Sequence, residues 1–536
     1  GGDSRIAADQ LSDRKISLLS VENVEDCLGG LIRCLADKPA LIDGPTGRTL
    51  TYGELASGIR IAATGLAARG MGKGDVMGIY CPNIPEYSLI FNAVASLGGV
   101  NTTVNPLYTA GELAKQLNDA NARFLVTVPL FLDKALEAAG NSAVEEVFVL
   151  GEGQGATPFT ELMWAGDDPP LVEIDTRNDL VVLPYSSGTT GLPKGVMLTH
   201  HNLVANLCQI AGFEAQERMG EDQIILAMLP FFHIYGMIVV MKLALAGGAT
   251  VVSMPRFDMQ EFLDLIQKYK VTLLPLVPPV VLGLAKSPLL EQYDLSTVQS
   301  IFCGAAPLGS ELSDEASKRM GCPVMQGYGM TEASPVTHLS SMDPDQGRSG
   351  SIGKVVPGTE VRLVDPETGR DVDKGADGEL WIRGPQIMRG YLKQPEATAE
   401  SIDADGWYHS GDIGCVDDDG FFFIVDRVKE LIKYKAMQVS PAELEALLVT
   451  HPDVADAAVI PSPDEEAGEI PKGIVVLKDP AAADDKVAEA IMAFVAGKVA
   501  PHKRVRALEF AEQIPKSASG KILRRVLVDQ ERGASG

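Results

Sequence analysis

Cysteine is scarce in this chain of 536 residues, and the cysteines present are poorly placed for pairing. There are seven, they are widely scattered, and no two of them form a CxxC pair. An odd number at such spacings does not fit a disulfide framework and is typical of reduced, mostly buried thiols. We therefore expect the protein to be cytoplasmic.

Long uninterrupted apolar runs are also missing. The most apolar stretches are broken by Lys242 and by the prolines of LLPLVPPVVLGLA. Strands and helices of a protein core explain these stretches better than membrane spans do. No basic-then-apolar leader opens the chain, and the final residues GASG match no peroxisomal or prenylation signal. We predict no integral membrane segment.

Basic residues are outnumbered by acidic ones. The chain has 46 Lys and Arg against 72 Asp and Glu, which gives a formal net charge of −26. Such a chain repels phosphate-rich surfaces, and this argues against sequence-independent binding to nucleic acid or to anionic membranes. Small anions are not excluded, because glycines and single lysines can bind them locally.

The chain is too long for one compact core, and its pattern changes along its length. From about residue 40 to 300, short apolar runs such as DVMGIYCP, ARFLVTV and QIILAMLP alternate with amphipathic stretches such as AGELAKQLNDA. This alternation predicts an α/β architecture of doubly wound, largely parallel sheets with helices on their faces.

Between residues 350 and 427 the pattern becomes one of closely spaced strands with Gly and Asp turns, as in DGELWIRG and GCVDDDGFFFIVDR. It predicts a small antiparallel, β-barrel-like subdomain. The aspartates at 417–419 could pass for a metal cluster, but a turn between two apolar strands explains them better.

A second domain is expected after Arg427. Ser440, Pro441 and Glu443 supply a helix N-cap, a first-turn proline and a capping-box partner. We predict an N-terminal domain over residues 1–427 and a small α+β C-terminal domain over 428–536.

The stretch YSSGTTGLPKGVMLTH, residues 185–200, joins three glycines, several hydroxyl side chains and one lysine after an apolar strand. Its glycines leave backbone N–H groups free to point at an anion, and phosphate is the first candidate. It is not a Walker loop, because Lys194 is followed by Gly195 instead of Ser or Thr. A Ser/Thr/Gly-rich surface loop is the alternative. The glycine spacing, the lysine and the flanking strands favour phosphate binding.

Further motifs follow in the order FFHIYGM, FCGAAPLG, QGYGMTEASP, GWYHSGDIG, VDRVKELIKYKAMQVSPAELE and PKSASGKILRR. With this order and spacing, the set resembles the adenylate-forming superfamily of acyl-CoA synthetases, aryl-CoA ligases, beetle luciferases and nonribosomal adenylation domains. YSSGTTGLPKGVMLTH and VKELIKYK are most similar to the 4-coumarate-CoA-ligase-like branch. The resemblance covers the chain from about residue 35 to 525.

The resemblance implies an enzyme that joins a carboxylate to AMP, with pyrophosphate as the leaving group. Glu332 would bind Mg²⁺ through carboxylate oxygen, and Thr331 would donate a hydrogen bond to the α-phosphate. The loop in residues 185–200 would close on the β- and γ-phosphates of ATP with the groups of Ser186, Ser187, Gly188, Thr189, Thr190, Gly191 and Lys194.

The same resemblance implies an adenine and ribose site. Tyr328 offers a ring face for adenine, and Asp412 would accept hydrogen bonds from both ribose hydroxyls, with Arg427 completing that contact. A glycine turn and a core tyrosine would explain the adenine motifs equally well if each stood alone. Small residues leave room beside the base at Gly304, Ala305 and Ala306.

His233 and Tyr235 resemble the gate between the acyl pocket and the CoA tunnel, although a buried structural histidine is the alternative for His233. Phe302 stands near the position where hydroxycinnamate ligases tend to carry a polar, phenol-reading side chain. An apolar residue there, and again at Val239, favours a fatty or an unsubstituted aryl acid. The resemblance assigns the acyl pocket to Tyr235, Val239, Phe302, Gly329, Pro335 and Val336.

Lys521, in PKSASGK, matches the catalytic-lysine loop of the family, and a solvated tail lysine is the alternative. Its ammonium would reach both the substrate carboxylate and the α-phosphate. The resemblance further implies a mobile C-terminal domain that rotates about Lys429 and presents another face for the CoA step. That face would carry Lys433, Ala436 and Gln438, although a lysine on an exposed strand is the alternative for Lys433. A glycine usually stands at the position of Ala436 in this branch, so its methyl group would narrow the tunnel for pantetheine.

These features together predict an ATP-dependent acid–CoA ligase for a fatty or aryl, cinnamate-like, acid. Its partners would be Mg²⁺, ATP, CoA and the acid, and its oligomeric state stays open between monomer and homodimer. An acyl-AMP ligase that loads a carrier protein is the nearest alternative, although the sequence between Glu332 and Asp412 is short for it. A catalytically silent nucleotide-binding regulator is another. The regulator is disfavoured because the residues expected for catalysis and nucleotide binding are all present: Glu332, Asp412, Arg427 and Lys521.

Overall fold

The computed structural model describes most of the chain. The described residues are 6–7, 35–164, 168–186, 193–213, 220–341, 347–373, 375–427, 430–434, 437–464, 467–517 and 520–534. Among them, no helix is long and apolar enough to cross a lipid bilayer.

A first mixed sheet joins nine of the described strands. Its centre is parallel, because each of the strands 76–80, 100–103 and 122–127 is followed by a helix that returns the chain to the same end of the sheet. In spatial order the strands are Tyr185–Ser186, Lys194–Thr199, Leu180–Val182, Val100–Thr103, Val76–Tyr80, Ala122–Thr127, Glu146–Val149 and Thr157–Pro158, with Gly390–Tyr391 paired to Lys194–Thr199.

A second sheet of nine described strands has the same plan. Its central strands are parallel, and antiparallel strands complete both edges. In spatial order they are Lys354–Val355, Val336–Leu339, Val324–Gly329, Ser300–Cys303, Leu273–Leu276, Ile224–Ala227, Thr250–Ser253, Pro39–Asp43 and Thr49–Thr51. The predicted α/β architecture is thus confirmed.

One continuous core joins the two large sheets. Buried side chains of both sheets and of the helices between them belong to the same hydrophobic cluster, which includes Ile79, Phe91 and Val252. Tyr87 and Phe231 meet edge to face within it, with 5.7 Å between ring centroids. This core fixes the carboxyl ends of the parallel strands relative to each other, and ligands of open α/β sheets bind at those ends.

Several helices begin with a side chain that satisfies one of their first N–H groups. Thr51 with Glu54, and Thr109 with Glu112, form capping boxes. The described α-helices are Tyr52–Ala68, Glu86–Ser96, Ala110–Ala120, Leu132–Gly140, His200–Gly212, Leu243–Ala246, Met259–Tyr269, Pro278–Lys286, Ser310–Met320, Pro395–Ser401, Pro441–Leu448, Asp485–Ala496 and Arg524–Ala534. Tyr235–Lys242 is a π-helix.

A five-stranded antiparallel sheet stands where the Gly and Asp turns predict one. Its hairpin turn is held by Asp417, whose Oδ1 accepts hydrogen bonds from the backbone N–H groups of Asp419 and Phe421, each at 2.9 Å. These two hydrogen bonds are those of a tight turn and support the turn interpretation of residues 417–419. The strands are Ile6–Ala7, Glu360–Val364, Gly378–Arg383, Tyr408–Val416 and Phe422–Arg427.

The C-terminal region forms its own mixed sheet, which the helices 441–448 and 485–496 cover. Ser440 begins the first of these helices: its Oγ accepts from the N–H of Glu443 at 3.1 Å and donates to the carbonyl of Val425 at 2.7 Å. The boundary at residue 427 stays a prediction. The strands are Met437–Val439, Ile432–Tyr434, Gly468–Leu477, Val454–Asp464 and Ala507–Phe510.

Candidate active site

The predicted adenine and ribose residues form one hydrogen-bonded unit. Asp412 is buried, and its Oδ2 accepts a hydrogen bond from the hydroxyl of Tyr328 at 2.5 Å. Its Oδ1 accepts from Nε of Arg427 at 3.1 Å. Burial and the charge of Asp412 raise the pKa of Tyr328 well above its ordinary value, so the phenol remains a donor. A carboxylate offers about four acceptor positions, and two ribose hydroxyls can therefore still bind Asp412.

The small residues predicted beside adenine lie in the loop after the strand Ser300–Cys303. The N–H of Gly304 donates to the carbonyl of Leu276 at 3.2 Å. Ala305 is exposed and has a φ of 70°, which is in the left-handed region that side chains rarely adopt. Such strain is concentrated at functional sites, because the surrounding structure must impose it.

Glu332 is buried at the end of the strand Val324–Gly329, in a short 3₁₀-helix with Thr331. Its Oε1 accepts a hydrogen bond from the hydroxyl of Tyr391 at 2.9 Å. Nζ of Lys194 lies 4.7 Å from the centre of the same tyrosine ring. Tyr391 thus joins the predicted metal ligand to the predicted phosphate-binding lysine.

The backbone around Glu332 leaves little freedom. A Cβ atom at Gly329 would lie 2.0 Å from the carbonyl oxygen of Pro335, so only glycine fits there. Asn206 holds the next residue, Val336, from both sides: its Oδ1 accepts from the Val336 N–H at 3.0 Å and its Nδ2 donates to the Val336 carbonyl at 2.7 Å.

The predicted acyl pocket is built on the π-helix Tyr235–Lys242. Wider helical turns of this kind occur often at functional sites. The hydroxyl of Tyr235 donates to the backbone carbonyl of Phe302 at 2.9 Å, and the two rings meet edge to face at 6.3 Å. Val239, one turn further, is buried. The lining formed by these three residues is therefore largely apolar.

His233 lies at the start of this helix and is partly exposed. Its Nδ1 accepts from the N–H of Tyr235 at 3.3 Å. Burial and, to a smaller extent, the charge of Lys521 lower the pKa of His233 to about 4. The imidazole is therefore neutral near pH 7. Lys521 is thus close enough to His233 for its charge to act on the imidazole.

Lys521 is half-buried, in a turn where its N–H donates to Oγ of Ser517 at 3.1 Å. Burial and the charge of Arg427 lower its pKa to about 8, while Glu430 and Asp412 act in the opposite direction. Gly520 has a φ of 79°, and a Cβ atom there would lie 3.3 Å from Val277. The C-terminal region thus inserts Lys521 beside the nucleotide residues, and the solvated-tail alternative does not describe it.

The structure brings together most of the predicted site. Ser186 and Lys194 are direct partners across an antiparallel strand pair and form the two ends of the phosphate loop. Lys433 is exposed, and its backbone pairs with that of Gln438 in the C-terminal sheet. Both residues are distant from Lys521 in sequence. Several predicted positions lie outside the described residues: Ser187, Gly188, Thr189, Thr190, Gly191, Lys429, Ala436 and the side chain of Gln438.

Two residues of this site, Tyr391 and Asn206, are not predicted from the sequence. Tyr391 lies in RGYLKQP, a stretch without a motif that points to phosphate. Asn206 carries a usable signal. Thr199, Asn202, Asn206 and Gln209 follow one another at spacings of three or four residues, which sets a polar stripe along one face of the helix His200–Gly212.

Comparison with known proteins matches two parts of the chain. A family model described as AMP-binding enzyme matches residues 32–392, and one described as AMP-binding enzyme C-terminal domain matches residues 443–521. The chain belongs to the AMP-binding enzyme family. This AMP-binding enzyme is 44% identical over 507 residues to 4-coumarate–CoA ligase 1 of Petroselinum crispum, covering 94% of this chain and 92% of that protein.

A second relative, 4-coumarate–CoA ligase 1 of Solanum tuberosum, is 45% identical over 91% of this chain and 90% of its own length. Among solved structures, the anthranilate CoA ligase AuaEII in complex with anthranoyl-AMP has a TM-score of 0.88 at 27% identity, covering 97% of this chain and 99% of that one. The predicted adenylate-forming family and its acid–CoA ligase class are confirmed. The roles of individual residues stay predictions.

Proposed function

We propose that this AMP-binding enzyme is an acid–CoA ligase for a cinnamate-like aryl acid, acting through an acyl-adenylate. The observation that carries the proposal is the packing of the Lys521 turn against the N-terminal region. A Cβ atom at Gly520 would lie 3.3 Å from Val277, and Lys521 is half-buried and close enough to Arg427 and Asp412 for their charges to shift its pKa. A cation held at a nucleotide site is suited to a reaction in which negative charge moves between a carboxylate and a phosphate.

In the first step, a carboxylate oxygen of the acid attacks the α-phosphorus of ATP, and the bond to the bridging oxygen of pyrophosphate breaks. Lys521 orients the two anions and stabilises the charge that develops on the α-phosphate. Thr331 donates to the same phosphate. Asp412 and Tyr328 hold the ribose and the base, so that the α-phosphate is fixed relative to the acid.

Mg²⁺ fits the carboxylate of Glu332. This cation is held in phosphate-transferring sites by one or two carboxylates and by the phosphate oxygens of the substrate, so a dedicated cluster of ligands is not needed. Bound there, it would neutralise charge on the phosphates. The hydroxyl of Tyr391 orients the Glu332 carboxylate, and Lys194, which lies over the ring of Tyr391, would bind the β- and γ-phosphates.

In the second step, the sulfur of CoA attacks the carbonyl carbon of the adenylate. The bond between that carbon and the phosphate oxygen breaks, AMP leaves with the bonding electrons, and the thiol proton is released. His233 is neutral near pH 7, and a pKa of about 4 makes it a weak base, so its proposed role is that of the gate beside Tyr235. Rotation about Lys429, with Lys433, Ala436 and Gln438 facing CoA, remains part of the proposal.

The pocket supports an aryl acid without a ring hydroxyl. Tyr235 uses its hydroxyl to hold the Phe302 carbonyl, and the side chains of Phe302 and Val239 offer no hydrogen bond. A phenol buried there would lose its water without a matching partner, which costs about 1–3 kcal/mol. Both similar ligases of the 4-coumarate class act on an aryl propenoic acid by their names, which supports this skeleton.

We expect the enzyme to convert cinnamate to cinnamoyl-CoA with a kcat/KM about tenfold above that for 4-coumarate. The measurement is mass spectrometry of products and steady-state kinetics with MgATP, with and without CoA, over cinnamates, benzoates and fatty acids. Acyl-AMP that persists when CoA is present would overturn CoA ligation and favour transfer to a carrier protein. Turnover of long fatty acids alone would overturn the aryl assignment.

A pH dependence follows from Lys521. A lysine carries its charge below its pKa, and a pKa of about 8 leaves about a tenth of the free enzyme charged at pH 9. We expect kcat/KM for adenylation to fall about tenfold per pH unit above about pH 8. Pyrophosphate release measured from pH 6 to 10 tests this. A flat profile up to pH 10 would contradict the role of the charged lysine.

A further inference from the structure

Charged side chains of alternating sign connect the ribose site to the C-terminal region. Asp412 binds Arg427, and Nη1 of Arg427 lies 3.7 Å from Oε1 of Glu430. Glu430 in turn pairs through Oε2 with Nη1 of Arg524, and Arg524 binds Glu445. We name this set, Asp412, Arg427, Glu430, Arg524 and Glu445, the charge chain.

The far end of the charge chain is firmly anchored. Nε of Arg524 donates to Oε1 of Glu445 at 3.0 Å, and a second bond joins the other atoms of the two groups. Glu445 is buried, and its Oε1 also accepts from the backbone N–H of Val459 at 2.8 Å. A forked arginine–carboxylate pair of this kind fixes both direction and position of the guanidinium. Arg524 is therefore rigid with respect to the C-terminal sheet.

The near end of the charge chain is tied to the ribose residues through backbone as well as side chains. The N–H groups of Glu430 and Leu431 donate to the carbonyl of Arg427 at 3.0 and 3.1 Å. Glu430 thus touches Arg427 by its main chain and its carboxylate together. Its own side chain is only 18% exposed, so water screens these pairs weakly.

Lys521 lies beside the middle of the charge chain. It precedes Arg524 by three residues, and its ammonium interacts with Arg427, Arg524 and Glu430 as well as Asp412. Two of these neighbours repel it and two attract it. Without the carboxylate of Glu430, three cations would share this volume with two carboxylates, of which Glu445 is already engaged by Arg524, and Lys521 would be pushed outward.

We propose that Glu430 is a positioning residue for adenylation, which bridges Arg427 of the ribose site to Arg524 and thereby holds Lys521 against the acyl-adenylate site. The bridge couples nucleotide binding to the lysine, because ribose contacts that order Asp412 and Arg427 also order the partner of Arg524. The inference rests on the proposed role of Lys521.

The direct test replaces Glu430 by glutamine, which keeps the shape and removes the charge. We expect Glu430→Gln to lower acid-dependent pyrophosphate release about tenfold and to leave thioester formation from supplied acyl-AMP and CoA within about twofold. Glu430→Asp, which keeps the charge, should retain most of the adenylation rate that Glu430→Gln loses. Glu443→Gln is the matched control, because Glu443 pairs with Lys503 at 2.7 Å in the same region and outside the site. Its adenylation rate should stay unchanged.

A double-mutant cycle separates positioning from folding. If Glu430 acts through Lys521, adding Glu430→Gln to Lys521→Ala should cause no further loss of adenylation. If the two substitutions lower adenylation by factors that multiply in the double variant, the inference is wrong. It is also wrong if Glu430→Gln slows adenylation and thioester formation equally. The pH profile gives a second readout: removing the Glu430 charge should move the alkaline limb to lower pH, since that charge raises the pKa of Lys521. An unmoved limb would contradict it.

Failure of the proposed function would look different. If Lys521→Ala itself leaves adenylation intact, the role of the lysine is wrong and the cycle has no basis. If Lys521→Ala abolishes adenylation while Glu430→Gln leaves its rate and its pH profile unchanged, only the positioning role is wrong.

Discussion

Replacing Lys521 by alanine should reduce adenylation about 100- to 1000-fold, the range found when a single charge-stabilising donor is removed from an active site. The lysine lies near Asp412 and Arg427, and its proposed partners are the α-phosphate and the carboxylate of the acid. Thioester formation from supplied acyl-AMP should survive within about twofold, because the proposed rotation of the C-terminal domain removes Lys521 from the site before that step. Pyrophosphate release and single-turnover thioester formation measure the two steps separately.

The matched control for this variant is Lys516→Ala. Lys516 lies in the same loop, but its ammonium pairs with Asp456 at 2.6 Å within the C-terminal region. Its removal should leave adenylation within about twofold. Equal loss of both half-reactions in Lys521→Ala, at unchanged thermal stability, would contradict the assignment. So would a loss in Lys516→Ala as large as that in Lys521→Ala.

The parts of this site that can be predicted from the sequence are those whose residues lie in one short, contiguous motif. The phosphate loop, the strand–loop GAAP and the residues Tyr328, Glu332 and Asp412 each sit in a short segment with its own composition. The alternation of strands and helices likewise predicts the α/β architecture, because burial on a parallel sheet leaves a periodic trace. These predictions depend on local chemistry alone.

The unpredicted residues act across long distances in sequence. Tyr391 serves Glu332 from 59 residues away, and Asn206 holds Val336 from 130 residues away. Glu430 and Arg524 are 94 residues apart. Nothing in a local pattern records such pairs, because the contact exists only after the sheets are assembled. The π-helix at Tyr235–Lys242 is a similar case, since its first residue, Tyr235, bonds the carbonyl of Phe302 from 67 residues away.

Asp412 is the second position where a single change should have a large effect. Its two oxygens hold Tyr328 and Arg427, so the platform for adenine and the ribose contact share one carboxylate. Asp412→Asn keeps the volume but replaces an acceptor by a donor, and one of the bonds to Arg427 or to a ribose hydroxyl is then lost. Hydrogen bonds to a charged group are worth about 1.5–3 kcal/mol each. We expect kcat/KM for ATP to fall about 100-fold.

The loss should appear mainly in KM for ATP, and KM for the acid should change little, since Asp412 belongs to the nucleotide side of the site. Asp419→Asn is the matched control: Asp419 lies in the turn of the same hairpin and pairs with Arg348 far from the ribose residues. A variant that keeps the KM for ATP and loses only kcat would contradict the ribose role. That result would mean instead that Asp412 positions Arg427 and, through the charge chain, Lys521. The division between KM and kcat in this one variant therefore decides whether the carboxylate binds the nucleotide or positions the lysine.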